Sequence, residues 1–184
     1  MQLIETIDLI FKKKNLKLLL TPYEILSTGE NCGIVEFIAD SMSIDYLKRK
    51  MPKVDDKDND LEYFYKSNFG YYKNKKSKKF KQAINNLADS LAAYSLVCYI
   101  LQIKDRHNAN ILINMMDGRL VHIDFGFILS SRLVNFETAP FKITTDIVKL
   151  LGGLQGKGFK RFRTRMTEGY QALHEDNERI IILV

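Results

Sequence analysis

Four side chains in one short stretch have the types and spacing that phosphoryl transfer requires. Residues 104–126 read KDRHNANILINMMDGRLVHIDFG. Asn110 offers a neutral amide oxygen and Asp124 a carboxylate. Both are hard oxygen donors of the kind that hold Mg2+ beside nucleotide phosphates. The reaction also needs a group that orients or takes the proton of the acceptor hydroxyl. Two candidates stand close together: Asp105, and His107, whose imidazole titrates near neutral pH. Arg106 lies between them and completes the candidate catalytic set. Each residue alone is weak evidence, and Asp-Phe-Gly is a common tripeptide; the ordered set D-R-H-x-x-N-I-L-I followed by H-I-D-F-G is specific.

Such a set works only if the chain brings Asn110 and Asp124 together across the 14 positions between them. A β-hairpin does so. Ile111–Ile113 and Leu120–Ile123 read as short strands around an Asp117-Gly118 turn. Upstream, 80–103 is the strongest helix signal, apolar nearly all round towards its end (SLAAYSLVCYILQI), which predicts a buried central helix. Asp105 precedes Asn110 by five positions, the spacing of the catalytic Asp and metal-binding Asn in the protein-kinase pattern H-R-D-x-x-x-x-N, although the order here is Asp-Arg-His.

The remaining elements follow from periodicity and punctuation. Leu3 to Phe11 is helical and closes on Lys12 to Lys14, cations that suit a helix C-terminus. Strands are expected over 16–20, 23–27 and 33–39, the last two paired across a turn at 29–33. Helices are expected over 43–50, with Ser43 as N-cap, over 61–69, over 144–151 with a stop at Gly152 and Gly153, and over 159–173, with a last one from Glu175. The segment 53–60 is a charged loop, and 71–81 carries six lysines, an electropositive surface or simply a solvated loop and helix start. Gly-rich 152–158 follows a helix, not a strand, and reads as a helix stop rather than a nucleotide loop.

The chain of 184 residues is 46% hydrophobic and 27% charged, enough for one ordinary domain or one large lobe. The formal charge of +6 favours anionic partners. Two cysteines, Cys32 and Cys98, form no zinc or disulfide pattern, which fits a reducing compartment. No apolar run of 18 residues is present, and Met1 to Leu20 does not read as a signal peptide.

The segment 104–126 resembles the catalytic and activation loops of the phosphatidylinositol 3-/4-kinase family. The stretch SLVCYILQIKDRHNANIL, and FILSSRLVNFETAPFKITTDIVKLLGG after Gly126, are similar to the type III beta phosphatidylinositol 4-kinases. The resemblance runs from about Leu18 to the end and implies an α+β fold: a mainly helical kinase-like large lobe over 40–184, with catalytic loop 104–112 and activation segment 124–148, after a remnant of small lobe and hinge over 1–39. It implies ATP and Mg2+ as cofactors. It makes His107 the residue that activates the inositol hydroxyl, Asp105 its support, and Asn110 and Asp124 the magnesium ligands. Tyr23 matches an inner adenine-pocket tyrosine, Glu36 and Ile38 the hinge, and Leu112 and Ile123 the pocket floor; plain core packing is the competing reading for Tyr23, Leu112 and Ile123. The implied activity is transfer of the ATP γ-phosphoryl to phosphatidylinositol, by a cytoplasmic enzyme peripheral on anionic intracellular membranes, Golgi-like, with regulatory protein partners and no nucleic acid. The scarcity of cations in 127–148, where only Arg132 and Lys142 occur, fits a singly phosphorylated lipid.

One departure stands out. No Gly-rich phosphate loop precedes Tyr23 and no strand lysine is placed to meet the α-phosphate. The small lobe is expected to be largely missing and ATP binding by this chain weak. The competing readings are an incompetent large lobe retained for membrane or partner docking, and a Ser/Thr protein kinase of the related large-kinase group. The interleaved basic and aromatic residues of 159–165 suit either a bilayer surface or an ordinary solvated helix.

Overall fold

The computed structural model describes residues 1–50, 60–72, 75–129 and 139–184. Its elements are, in chain order, α1 (Gln2–Lys13), β1 (Ile25–Gly29), β2 (Cys32–Val35), β3 (Ser41–Ser43), α2 (Ile44–Lys50), α3 (Asp60–Phe69), the two-residue strands β4 (Tyr71–Tyr72) and β5 (Lys75–Lys76), α4 (Lys78–Ile100), a 3₁₀ turn (Asn108–Asn110), β6 (Ile111–Asn114), β7 (Leu120–His122), α5 (Thr145–Leu150), α6 (Lys157–Glu175) and α7 (Glu178–Ile181). This is the α+β arrangement that the sequence predicts, with helices around small antiparallel sheets.

Everything is built around α4. Ser77 caps it, its hydroxyl accepting from the Phe80 amide at 2.9 Å, and from Asn86 to Cys98 every residue is buried. Small side chains, Ala88, Ala92 and Ala93, allow close neighbours. The main one is α6. A Cβ on Gly169 would sit 2.5 Å from Leu96 Cδ1 and 2.6 Å from Leu18 Cδ1, so only glycine lets α6 lie this near. One buried carboxylate fixes the pair: Asp89, 4% exposed, accepts two 2.7 Å bonds from the Arg161 guanidinium and one of 3.3 Å from Arg165. The two-bond fork is the strong geometry for such a pair.

The hairpin β6–β7 is anchored to the other side of α4. Ser90 Oγ accepts from the Leu120 amide at 2.8 Å, and Asn86 Nδ2 donates to the Asp117 carbonyl at 2.9 Å. From α3, the Tyr65 hydroxyl donates to the Gly118 carbonyl at 2.5 Å. Gly118 has φ +76°, and a Cβ there would meet the Ala83 side chain at 2.9 Å. The connection is longer than a two-residue turn. Asn114 Oδ1 receives the amides of Met116 and Asp117 at 3.0 and 3.2 Å, an Asx-type turn that carries the chain round to Leu120.

Three elements differ from expectation. No strand forms over 16–20: Asn15 turns the chain at φ 54°, and Leu18 and Leu20 enter the helical core instead of pairing. The hairpin is a three-stranded sheet of order β3-β6-β7, because Ser41–Ser43 pairs antiparallel with Leu112–Asn114. A Ser-Met-Ser strand has no apolar alternation to announce it. The end of the chain is a four-residue helix, α7, rather than a continuous one from Glu175. The expected charged loop 53–60 lies almost wholly outside the described residues, as do Lys73 in the lysine-rich stretch and positions 130–138 of the activation segment.

Candidate active site

The loop after α4 is stitched to the segment 123–129 that follows β7. The Lys104 amide donates to the Phe127 carbonyl at 3.0 Å, Leu129 to Leu101 at 3.0 Å, and Ile123 to Asn110 at 3.0 Å. Both carboxylates of the candidate set sit in the left-handed region, Asp105 at φ 64° and Asp124 at φ 57°. That conformation is uncommon for residues other than glycine, least so for Asp and Asn, and it recurs at functional sites. The Asp124 carboxylate accepts the Gly126 amide through Oδ1 at 3.2 Å. Asn110 is buried and donates its amide to the Asp105 carbonyl at 3.1 Å, which turns its oxygen away from that bond. His107 is half exposed, its Nε2 lying 3.8 Å from Asp105 Oδ2.

Arg106 occupies a different place from its neighbours. It is 2% exposed. Its Nε donates to the Lys104 carbonyl at 3.0 Å, Nη1 to Ile123 at 2.8 Å, and Nη2 to the Asp124 carbonyl. The guanidinium also lies 5.5 Å from the centre of the Phe125 ring. These bonds tie its side chain to the backbone on either side of Asp124.

Beside this loop opens a cleft of about 750 Å³, within the range of small-molecule sites. Tyr23, Glu36, Ile38, Leu112 and Ile123 line it, with Asp124 and Phe125. Tyr23 is buried and stacks near Phe125, ring centres 6.3 Å apart, and burial raises its phenol pKa, with the Asp124 charge adding to the effect. The β1–β2 ribbon forms one wall. There the Glu36 amide donates to the Glu24 carbonyl at 2.9 Å, while the Glu24 amide donates to the Glu36 side chain at 2.8 Å instead of to its carbonyl. The Glu36 carbonyl and the Ile38 amide thus make no backbone hydrogen bond among the described residues.

Comparison with known proteins gives this site its context. The family model for phosphatidylinositol 3- and 4-kinase matches residues 1–184. The chain belongs to this family. It is 43% identical over 185 residues to a phosphatidylinositol 4-kinase of Dictyostelium discoideum, covering all of this chain and 15% of that protein. It is 43% identical over 187 residues to a probable phosphatidylinositol 4-kinase STT4 homolog of Encephalitozoon cuniculi, covering 100% of the chain and 12% of that protein. With phosphatidylinositol 4-kinase beta 2 of Arabidopsis thaliana it shares 40% identity over 189 residues, 100% of the chain and 16% of that protein. The chain therefore spans less than a fifth of the length of these relatives.

Within this kinase-family chain six of the ten sequence-derived residues line one cleft and the other four lie on the loop bonded to it. Five line the cleft with Asp124, and Asp105, Arg106, His107 and Asn110 hold the adjoining loop. The oxygen-donor pair of Asn110 and Asp124 suits Mg2+ in chemistry. Among the described residues no group of three or more His, Cys, Asp or Glu is clustered as for a tighter metal site.

Two supporting residues escaped the sequence reading. His122 is 6% exposed, stacks on Tyr94 at 4.4 Å and 9°, and has Nδ1 3.9 Å from Cys98 Sγ. Burial, with the nearby Arg106 charge, pushes its pKa down to about 3, so it is neutral at pH 7. Tyr94 in turn accepts the Thr21 amide at 3.1 Å, holding the segment that delivers Tyr23 to the cleft. Both residues look like ordinary core in sequence. The segment 159–165 packs inward on one face, where Phe162 is buried, Phe159 lies against it at 5.5 Å and Arg161 and Arg165 reach Asp89, while Lys160 and Arg163 remain exposed. No described helix is long and apolar enough to cross a membrane.

Proposed function

We propose that this chain is the catalytic portion of a phosphatidylinositol 4-kinase, transferring the γ-phosphoryl group of ATP to the inositol ring of phosphatidylinositol at a membrane surface. One observation carries the reading: a cleft lined by Glu36 and Ile38, whose carbonyl and amide make no backbone hydrogen bond among the described residues, and also by Asp124, with the loop that bears Asn110 and the Asp105–His107 pair bonded to the lining residue Ile123. An adenine presents a donor and an acceptor on one edge, which that carbonyl and amide match. Tyr23, Leu112 and Ile123 supply the apolar sides for the ring.

Asn110 and Asp124 would hold Mg2+, whose charge would screen the nucleotide phosphates. Arg106 keeps Asp124 in its left-handed conformation by binding the Ile123 and Asp124 carbonyls. His107 is exposed where an acceptor hydroxyl can approach, and Asp105 sits close enough to orient the imidazole and stabilise it when it takes the hydroxyl proton. The preference for the 4-hydroxyl rests on the relatives, which are named phosphatidylinositol 4-kinases.

The test uses the full-length protein with labelled ATP and either phosphatidylinositol vesicles or a protein substrate. Lipid phosphorylation at the 4-position is expected, lost in Asp124→Ala. His107→Ala should lower kcat while leaving the KM for ATP nearly unchanged. Phosphorylation of the protein substrate alone would refute the substrate assignment, and an equal rise in the KM for ATP in both variants would refute the roles.

A further inference from the structure

A second cleft lies towards the opposite end of α4. It encloses about 670 Å³ between the first turns of α4, the end of α5 and the start of α6. Its walls include Phe80, Ile84, Leu150 and Leu151, and its cations are Lys76, Lys81 and Lys157. Among the described residues no Asp or Glu lines it. The three lysines are exposed and make no ion pair among the described residues, whereas Lys12, Lys14, Lys48 and Lys66 all do. The loop from α5 to α6 folds tightly on its glycines. A Cβ on Gly156 would lie 2.6 Å from the Gly152 carbonyl oxygen, and one on Gly158 would lie 2.9 Å from that of Leu151.

An apolar trough ringed by unpaired cations of one sign is complementary to an anion that also carries apolar groups. We propose that this cleft docks a protein partner through an acidic peptide segment with Leu- or Phe-type anchors. The anchors fill the trough between Ile84 and Leu151, and the Asp or Glu side chains meet Lys81 and Lys157. A helical segment alternating the two types at i, i+3, i+4 and i+7 presents them in this way. The lysines speed encounter and select the sign of the partner, while the apolar walls set the lifetime of the complex. A bilayer is the poorer fit. The trough is recessed between three helices, whereas bilayer contact is made by protruding apolar side chains. It is also displaced roughly 24 Å along α4 from the catalytic loop, at about 1.5 Å per residue from Ile84 to Ile100. The docking site does not depend on the lipid-kinase reading; only its remoteness from the membrane face does.

The probe is a fluorescein-labelled 14-residue amphipathic peptide with Leu and Phe on one face and Glu and Asp on the other, titrated by anisotropy against a scrambled peptide of equal composition. Saturable binding is expected, weakened at least tenfold by Lys81→Glu with Lys157→Glu and also by Ile84→Asp, while Lys17→Glu with Lys142→Glu, matched in charge but elsewhere, changes it less than twofold. Circular dichroism confirms that each variant is folded. Equal binding of the scrambled peptide, or equal loss in the charge-matched control, would show general attraction to a basic chain and overturn the site. Phosphatidylserine vesicles that bind with the same sensitivity at Lys81 and Lys157, while the peptide does not, would also overturn the proposal and assign the cleft to a membrane.

Discussion

Protonation of His122 should make the stability of this chain fall steeply below neutral pH. In the fold its imidazole is buried against Tyr94 and beside Arg106, and its pKa is pushed down to about 3 from an ordinary value of 6.5. An unfolded chain takes up that proton near pH 6.5, whereas the folded chain refuses it until about pH 3. Between those values the unfolded state binds more protons, so stability drops as pH drops; above pH 7 the contribution is constant. At about 1.36 kcal/mol per pH unit, the step from pH 7 to pH 5 removes about 2 kcal/mol, a large share of the 5–15 kcal/mol typical of a domain. The comparison that isolates the residue sets the wild type against His122→Gln and His122→Phe, the latter keeping a ring to stack on Tyr94. Urea unfolding at pH 7, 6 and 5 should show the wild type losing about 2 kcal/mol more than either variant, since the carboxylates titrate alike in all three. Parallel loss of stability in the three chains would refute the argument, because His122 would then be free to protonate in the fold.

Three further substitutions test how the site is supported. Arg106→Met removes three backbone-directed donors and leaves the Ile123 and Asp124 carbonyls without their partner; a loss of about 3 kcal/mol is expected in urea unfolding. Gly169→Ala puts a methyl carbon 2.5 Å from Leu96 Cδ1, and the overpacking should cost about 1–3 kcal/mol, visible as a lower Tm. Asp89→Ala takes away the acceptor shared by Arg161 and Arg165 between α4 and α6, and should destabilise by about 2–3 kcal/mol, with faster amide exchange along α6 as the local readout.

Much of this was legible in the sequence, for reasons that separate local from non-local information. The apolar run before Lys104 is buried all round because a single helix, α4, holds the whole core, and its composition says so without knowledge of its neighbours. The hairpin was legible from Ile111–Ile113, Asp117-Gly118 and Leu120–Ile123, since turn and strands are adjacent in the chain. The pairing of Ser41–Ser43 with Leu112–Asn114 joins segments about 70 positions apart, and nothing in Ser-Met-Ser announces it. The run 16–20 failed in the opposite way: its leucines have strand character, yet α6 and α4 offer them a core and no strand offers them a partner. Side-chain roles were the least legible. Arg106 shares a tripeptide with two candidate bases, and only burial separates it from them. Arg161 and Arg165 read as a basic helix face until Asp89, more than 70 positions earlier, is seen beneath them.

The position of Arg106 explains how one loop holds two conformationally costly residues. Asp105 and Asp124 both carry positive φ, each at a cost of about 1 kcal/mol or more. In the unfolded chain nothing favours that state, so the cost must be offset where the two segments meet. Arg106 does this from between them: its backbone is continuous with Asp105, and its side chain binds the carbonyl of Asp124, a charge-assisted contact stronger than a neutral one. Burial, with the Arg106 charge beside it, opposes a proton on His122, so the imidazole is neutral where this arrangement forms. His122 stacks on Tyr94 and lies within reach of the Arg106 charge. Tyr94 accepts the Thr21 amide behind Tyr23, and Arg106 binds the Asp124 carbonyl, so buried residues hold the backbone on both sides of the Tyr23–Phe125 contact. Asp124 and His107 are exposed while Arg106, next to His107 in the chain and bonded to Asp124, is buried, an arrangement that suits the roles proposed for them.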